Sequence, residues 1–543
     1  MNASALVPLP VILPLLGAGL AFAFGRSARA QRVVSVVVLS VIVAVAAVLL
    51  TRADAHGPQV MHLGGWHAPI GIALVADRVS ALMLLVSAVV ALCVLVYSLG
   101  QGVTEYGPDT PLSVFHPTFL VLIAGVSNAF LSGDLFNIYV GFEVLLAASY
   151  VLLTLGGTSG RIRAGTIYVI VSLVSSVIFL TAIALIYAAT GTVNLAHLSV
   201  RLEDVPDGIR LALQLMLMTG FAVKAAVFPL WAWLPDSYPT APAPVTAVFA
   251  GLLTKVGIYA IIRTQTLLFP GSEISGLLMW AALLTMLIGV LGAVAQTDVK
   301  RMLSFTLVSH IGYMVFGVAL SGDDGLSAAM FYVVHHITIQ TTLFLVVGLI
   351  ERRGGSTALD RLGGLARSSP VLAVLFFVPA MNLAGIPPFP GFLGKVALMQ
   401  AGVENASPMA YVLIAGAVTT SLLTLYAMAK AWNRAFWQPR PAEADGWHRD
   451  AEDGAADSTG AAGAAGPATD LHRGPVSVAE PEAAEPSRPL QLAMTGPAAA
   501  LVLVGITLSV VAGPLFDLTD RAAVDLRERA PYVEAVLPQG GGP

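Results

Sequence analysis

The chain has 543 residues, of which 57% are hydrophobic and only 11% are charged, and its formal net charge is −4. Soluble domains carry about 25% charged residues, so this composition indicates a polytopic membrane protein whose apolar surface is largely covered by lipid. The small net charge gives no indication of a nucleic-acid partner. The single cysteine, Cys93, excludes disulfides within the chain and excludes zinc or iron–sulfur sites built from several cysteines.

Stretches of about twenty apolar residues predict an all-α polytopic membrane protein with about fourteen transmembrane helices. The first, at 6–25, is expected to be a retained helix and not a removed signal peptide, because no basic region precedes its apolar run. The other predicted spans, numbered 2 to 14 in chain order, are 33–50, 73–98, 115–132, 135–155, 165–189, 210–229, 243–263, 275–295, 301–320, 328–350, 370–402, 409–432 and 495–515.

Span 12 is predicted to be a discontinuous helix. Its centre reads NLAGIPPFPGFLGK, and Pro387, Pro388 and Pro390 prevent an unbroken helix. Non-helical backbone is tolerated at membrane depth only where protein buries it or where it lines a wet cavity. We therefore expect the break to face the interior of the protein.

Basic residues predict the orientation of the chain, because cytoplasmic loops of membrane proteins carry an excess of lysine and arginine. The basic connections all follow odd-numbered spans and should lie in the cytoplasm. An even number of spans then puts both termini on the outer side of the membrane. The basic residues are Arg26, Arg29, Arg32, Arg161, Arg163, Lys300, Arg301, Arg352, Arg353, Arg361, Arg367, Lys430, Arg434 and Arg440.

The spans divide the chain into five parts. They are 1–114 with spans 1–3, 115–265 and 266–435 with one five-helix unit each, 436–494 as a disordered cytoplasmic linker, and 495–543 with span 14 and an external tail. Lys224 in span 7 and Lys395 in span 12 lie five spans apart, so their helices cross in opposite directions. Spans 4–8 and 9–13 are therefore predicted to form two inverted repeats.

Two opposite charges are predicted at similar depth in the membrane. Glu143 lies about 12 Å into span 5 and Lys224 about 21 Å into span 7, both in the middle of a core about 30 Å thick. Each charge is costly there without a partner, so we expect the two to pair. The pair would act as a switch, because withdrawal of the carboxylate favours release of the lysine proton. A static ion pair that only fixes helix packing is the alternative.

Further titratable residues continue this series along the chain. They are Lys255 in span 8, His310 in span 10, His335 and His336 in span 11, and Lys395 after the break in span 12. Histidine titrates near neutral pH and passes protons through water. We predict a polar relay from Glu143 to Lys395, roughly parallel to the membrane. Snorkelling of Lys255 and ordinary interhelical hydrogen bonds of the histidines are the alternatives.

Asp134 and Asp236 are weaker candidates, for the approach of a cation to the membrane. Each lies near a predicted helix start, so a helix cap is the alternative for both. The sequence contains no compact carboxylate cluster that would predict a sodium site, and no cofactor is expected.

Five motifs resemble one known family. They are GFEVLLAASYVLL with Glu143, GFAVKAAVFPLWAWLPDSYP with Lys224, APAPVTAVFAGLLTKVGIYAIIR with Lys255, DVKRMLSFTLVSHIGY with His310, and NLAGIPPFPGFLGK with Lys395. Over about residues 70–435 the chain resembles the proton-translocating subunits of multisubunit Na+/H+ antiporters of the Mrp or Mnh type and the antiporter-like membrane subunits of respiratory complex I. The sequences of these motifs are most similar to those of the D-type branch of the Mrp antiporters.

The resemblance implies inverted five-helix units, a second break in span 7, and work inside a hetero-oligomeric complex with other membrane subunits. It also implies a secondary transporter and not an enzyme, moving H+ inward against Na+, with Li+ and K+ as other candidate ions. The proton-pumping subunit of a redox complex, such as complex I or a membrane hydrogenase, is the alternative. A haem or quinone enzyme is disfavoured, because His335 and His336 are adjacent and point about 100° apart on a helix.

Overall fold

The structure is a computed structural model that describes residues 3–101, 114–271, 273–440 and 491–537. Twelve helices in these ranges are long and apolar enough to cross a membrane, and Phe115–Leu131 and Pro370–Ala384 are shorter apolar helices. Each of the fourteen predicted spans overlaps one of these helices. The chain is therefore a multi-pass membrane protein. Most of the predicted linker, residues 441–490, lies outside the described residues.

The α-helices are numbered here in chain order. The first eleven are α1 (Leu9–Ala23), α2 (Ala28–His56), α3 (Arg78–Gln101), α4 (Phe115–Leu131), α5 (Leu135–Thr154), α6 (Ser159–Thr190), α7 (Leu195–Arg201), α8 (Asp207–Ala225), α9 (Trp233–Ser237), α10 (Ala243–Val248) and α11 (Thr254–Leu267). A π-helical turn, Phe249–Leu253, joins α10 to α11. An antiparallel hairpin of β1 (Gln59–His62) and β2 (Ala73–Ala76) lies between α2 and α3.

The second part of the chain has ten further α-helices among the described residues. They are α12 (Ser275–Ala295), α13 (Val299–Ala319), α14 (Asp323–Gly354), α15 (Leu365–Ser368), α16 (Pro370–Ala384), α17 (Pro390–Asn405), α18 (Pro408–Trp432), α19 (Leu492–Val510), α20 (Ala512–Glu528) and α21 (Ala530–Val536). The short turns are the 3₁₀ helices Ala3–Leu6, Leu63–Gly65, Leu202–Asp204 and Tyr238–Thr240, and the π-helical turn Asn433–Trp437.

The two ends of the described chain lie on one face of the helix bundle, which we call the terminus face. The hairpin strand β1 packs against both the turn Ala3–Leu6 and α21, and α20 packs on α3 and α11. The opposite face, which we call the linker face, holds the basic connections. There Arg301 pairs with Asp236 at 2.9 Å, and the amide of Gly364 donates to the carbonyl of Gln438 at 2.7 Å.

Matching features recur five spans apart. Asp134 caps α5 and forms an isolated β-bridge with Asn194, while Asp298 caps α13 and forms one with Ala358. The first pair lies on the terminus face, and the second lies beside the basic connections of the linker face. Opposite placement of equivalent features is expected of two inverted five-helix units.

Both predicted breaks are present. Helix α8 ends at Ala225, four residues before the predicted end of span 7, because Ala226 takes a left-handed conformation with φ 58°. Helix α16 ends at Ala384, and the left-handed Gly385 (φ 85°) precedes the break before α17. Helix ends expose backbone carbonyls without helical partners, so each break supplies polar groups in the buried interior of the helix bundle.

The described part of the tail after span 14 is helical and consists of α20 and α21. Helix α20 is held to the terminus face by ion pairs, since Arg78 reaches the carboxylates of Asp54 and Asp525 and Arg521 also pairs with Asp54 at 2.9 Å. The ring of Phe516 stacks on Phe331 of α14, with ring centroids 4.0 Å apart. The tail is therefore a packed part of the described structure.

Candidate functional site

Glu143 and Lys224 face each other across the side chain of Ser176. The Ser176 hydroxyl donates to the Glu143 carboxylate, and Lys224 Nζ donates to Ser176 Oγ at 3.1 Å. Within the described residues no ion pair joins the lysine to the glutamate directly, which differs from the simple pair that the sequence predicts. The hydroxyl can accept a proton on one side and donate one on the other. The arrangement is a three-membered chain for proton transfer between α5, α6 and α8.

Lys224 lies at the end of α8, one residue before the last helical residue. Only 8% of its surface is exposed, and its Nζ lies 4.9 Å from the centroid of the Phe142 ring. A cavity of about 20 Å³ adjoins it, between α5, α6, α8 and the residues after the break. This volume suffices for about one water molecule. The ammonium group is thus enclosed, with one hydroxyl contact and room for a small polar partner.

Lys255 is fully buried and obtains its partner from the π-helical turn that precedes it. A π turn shifts the helical hydrogen bonds from i→i+4 to i→i+5 and is frequent at functional sites. Lys255 Nζ donates to the carbonyl of Ala250 at 2.6 Å. A Cβ at Gly251, in the same turn, would clash with Thr341 Oγ1. The turn therefore packs directly on α14, one helical turn beyond His336.

Three buried histidines form one cluster with tyrosine. The rings of His310 and His336 lie 5.2 Å apart, and a hydrogen bond of 2.7 Å joins His310 Nδ1 to the Tyr332 hydroxyl. His310 Nε2 and both ring nitrogens of His335 and His336 have no hydrogen-bond partner among the described residues. Buried polar groups of this kind ordinarily bind water. The structure thus brings together the three predicted histidines in one polar region.

Lys395 projects from α17 into the break that precedes it. Its Nζ donates to the carbonyls of Leu383 and Ala384 at 3.1 and 3.0 Å, and both carbonyls lie at the end of α16. It also lies 5.0 Å from the ring of Tyr313. A Cβ at Gly391, one turn earlier on α17, would lie 3.0 Å from His335 Nε2. Lys395 therefore projects from the part of α17 that adjoins the histidine cluster.

Asp134 and Asp236 lie on opposite faces. Asp134 is buried, accepts from the amide of Asn137 at 2.6 Å through Oδ1, and has no partner on Oδ2 among the described residues. Burial raises the pKa of this carboxyl to about 6. Asp236 is exposed and lines a cavity of about 850 Å³ on the linker face. No group of three or more His, Cys, Asp or Glu residues suited to a metal ion is found in the described part of the chain.

Sequence reasoning misses two polar groups. Ser176 is overlooked because a serine in an apolar helix gives no charge signal. Arg263 is overlooked because it stands at the end of the motif that contains Lys255; it is buried and pairs with Asp77 at 2.6 Å. The spacing of Arg263 from Lys255, two helical turns, is the available signal.

The comparisons with known proteins agree on one family. Residues 132–424 match the family described as NADH:quinone oxidoreductase/Mrp antiporter, TM. The chain is 40% identical to the D subunit of the Na(+)/H(+) antiporter of Alkalihalophilus pseudofirmus, over 80% of this chain and 87% of that one. It is 37% identical to the protein of the same name from Bacillus subtilis, over 79% and 87%.

Solved structures show the same fold. The structure of the Mrp complex from Dietzia sp. DQ12-45-1b contains a chain that is 35% identical, with a TM-score of 0.85 and coverage of 98% of this chain and 99% of that one. A chain of respiratory complex I from Thermus thermophilus has the fold with a TM-score of 0.76 at 23% identity, covering 96% and 99%. The resemblance predicted from the five motifs is confirmed, and the chain belongs to the NADH:quinone oxidoreductase/Mrp antiporter family of membrane subunits.

Proposed function

We propose that this chain is the D-type member of a multisubunit Na+/H+ antiporter, and that it carries the protons of the exchange. The observation that carries the proposal is the contact of half-buried Glu143 with buried Ser176 and Lys224 beside a helix break. Its relatives at 40% and 37% identity are named as the D subunits of Na(+)/H(+) antiporters. Other membrane subunits would be its partners, and protons and Na+, or else Li+ or K+, its transported ions.

The first transfer would occur between Glu143 and Lys224. A proton that arrives at the carboxylate would pass through the Ser176 hydroxyl, which donates one proton as it accepts another. Lys224 would hold it while the carboxylate stays ionised, because an opposite charge favours the protonated lysine. When the carboxylate becomes neutral, burial favours release of the lysine proton. The charge of Glu143 thereby controls when Lys224 releases its proton.

The second transfer would run laterally to Lys395. Helix α11 crosses α8 closely, since a Cβ at Gly257 would lie 2.9 Å from the amide of Ala225. This crossing lies beside Lys224 and close to Lys255. From Lys255 the path would continue through the histidine cluster, whose unpartnered ring nitrogens can bind water, because imidazole both accepts and donates protons. Lys395, bonded to the open end of α16, would pass the proton to the other side of the membrane.

We place the linker face in the cytoplasm and the terminus face outside the bacterial cell membrane. The linker face carries Arg301, Arg361 and Lys430 among the basic connections, and short loops rich in such residues remain in the cytoplasm. Asp134 would then face the external side and Asp236 the cytoplasm, where each would attract cations towards the complex. Na+ would cross in another part of the complex.

The test is Na+-dependent proton movement in everted membrane vesicles from a host that lacks its own antiporters, with the whole complex expressed. We expect Glu143→Ala and Lys224→Ala to abolish the exchange while the complex still assembles. Full activity of both variants would contradict the mechanism. Co-purification with electron-transfer proteins, instead of antiporter subunits, would favour a proton pump of a redox complex.

A further inference from the structure

A second polar row leads from Lys255 towards the terminus face. Lys255, Tyr259 and Arg263 follow each other at intervals of four residues on α11, so they share one face of the helix. Arg263 lies about 12 Å beyond Lys255 along the axis. All three side chains are buried, with 0%, 3% and 2% of their surface exposed. A row of this kind offers the proton on Lys255 a short route out of the protein.

The route ends at a closed ion pair. Arg263 Nη2 lies 2.6 Å from Asp77 Oδ2 and donates to the Tyr259 hydroxyl at 3.1 Å. That hydroxyl donates in turn to the carbonyl of Phe130 at 2.7 Å. The guanidinium also lies 5.0 Å from the centroid of the Tyr532 ring in α21. Asp77 and Tyr532, from distant parts of the chain, therefore close around Arg263, and Tyr259 links it to α4.

The surroundings leave little room for water. The cavity that adjoins Asp77 and Arg263 has a volume of about 10 Å³, at the lower limit for one water molecule. Arginine keeps its charge in proteins, so it cannot relay a proton as lysine or histidine can. A fixed positive charge in a narrow, poorly hydrated passage repels protons and other cations, as it does in selective pores.

We propose that the Asp77–Arg263 pair is an electrostatic seal between Lys255 and the terminus face. It rests on the proposed function in that Lys255 is taken to carry protons. The seal prevents direct escape of a proton from Lys255 and forces its lateral transfer to the histidine cluster. Asp77 holds the guanidinium in place, Tyr259 separates it from Lys255, and Tyr532 covers it from the side of the tail.

The experiment measures passive proton flux through the whole complex in proteoliposomes. Sodium is absent, and a K+ diffusion potential set by valinomycin drives protons inward past a pH-sensitive dye. We expect Arg263→Gln to raise this flux on the order of tenfold, and Arg263→Lys to keep it near the wild-type value because the charge is retained. The double variant Asp77→Asn/Arg263→Gln leaves no unpaired charge to impair folding, and it should leak as well.

Arg78→Gln is the matched control. Arg78 follows Asp77 in the chain, pairs with Asp54 and Asp525 and fastens the same tail, but it does not lie on the row from Lys255. We expect it to leave the proton flux unchanged. The proposed seal would be contradicted if the double variant did not raise the proton flux. An increased flux in Arg263→Lys, or an equal increase in Arg78→Gln, would also contradict it. Sodium-driven exchange, measured separately on the wild-type vesicles, tests the proposed function independently of the leak.

Discussion

The hydroxyl of Ser176 decides how Glu143 and Lys224 communicate, because it contacts both. We expect Ser176→Ala to lower the rate of Na+-dependent proton exchange about fivefold or more, as loss of one buried hydrogen bond costs about 1 kcal/mol. Ser176→Thr keeps a hydroxyl and should recover much of the rate. Ser175→Ala is the control, since Ser175 donates to the carbonyl of Gly220 at 3.0 Å and lies outside the chain of contacts. Equal rates in Ser176→Ala and wild type would exclude the bridge.

Lys395 and Lys430 offer a comparison between a relay lysine and a structural one. Both donate to two backbone carbonyls, but Lys430 binds those of Val294 and Gln296 at the linker face, away from the histidines. We expect Lys395→Gln to reduce exchange by on the order of a hundredfold, because a proton carrier is lost. Lys430→Gln should change it little. The same vesicle assay measures both, and an equal loss in the two variants would argue for a structural role of Lys395.

The raised pKa of Asp134 predicts that the stability of the protein depends on pH. Burial raises the pKa of this carboxyl to about 6 from its usual 3.8, so the folded state favours the protonated form. The contribution of this carboxyl to the free energy of unfolding is fully present below its usual pKa of 3.8. It is lost as the pH rises through the pKa of about 6 that the group has in the folded protein. The loss amounts to about 2–3 kcal/mol once the pH exceeds both values.

Asp134→Asn should therefore raise the unfolding temperature of the purified complex at pH 7.5 and clearly less at pH 5. Asparagine also caps helices well, so the cap on α5 is preserved. Thermal unfolding in detergent at the two pH values measures the effect. A gain of the same size at both values would contradict the assigned pKa.

At the scale of elements, the sequence predicts the spans well and their interruptions unevenly. Three prolines predict the break between α16 and α17. The end of α8 at Ala225 has no marker at the break itself, because the left-handed residue that follows is an alanine and the nearest proline, Pro229, comes three residues later. The π turn before Lys255 is also invisible, since its residues are ordinary apolar ones. Contacts with neighbouring helices, which a pattern of hydrophobicity does not contain, decide these details.

Gly385 tests whether the break positions Lys395. Its φ of 85° strains any other residue, and a Cβ there would lie 2.9 Å from Cδ of Lys395. We expect Gly385→Ala to displace the lysine from its two carbonyls and to lower the rate of exchange severalfold. The strained backbone should in addition lower the free energy of unfolding by about 1–2 kcal/mol. Gly364→Ala carries a similar backbone cost at φ 67°, with nothing near its Cβ. Unfolding temperatures of the two variants should fall alike, whereas only Gly385→Ala should slow exchange.

At the scale of the whole molecule, charge and polarity in apolar helices are the signals that sequence reasoning uses best. Glu143, Lys224, Lys255 and Lys395 stand out because each is costly in lipid. Groups whose role depends on a partner from a distant part of the chain do not stand out in the sequence. Ser176 gains meaning only between α5 and α8, and Arg263 only beside Asp77, which lies far earlier in the sequence.

The composition of the linker predicts that transport does not depend on its sequence. Residues 441–490 are rich in Ala, Gly, Pro and acidic side chains and lack hydrophobic periodicity. Every proposed relay residue lies between 143 and 395, and the helices on either side, α18 and α19, pack on other parts of the bundle. We therefore expect replacement of 441–490 by a Gly/Ser chain of equal length to leave exchange within about twofold of wild type. The vesicle assay, with assembly checked by co-purification, would expose a role of this segment in transport if exchange fell while the complex stayed intact.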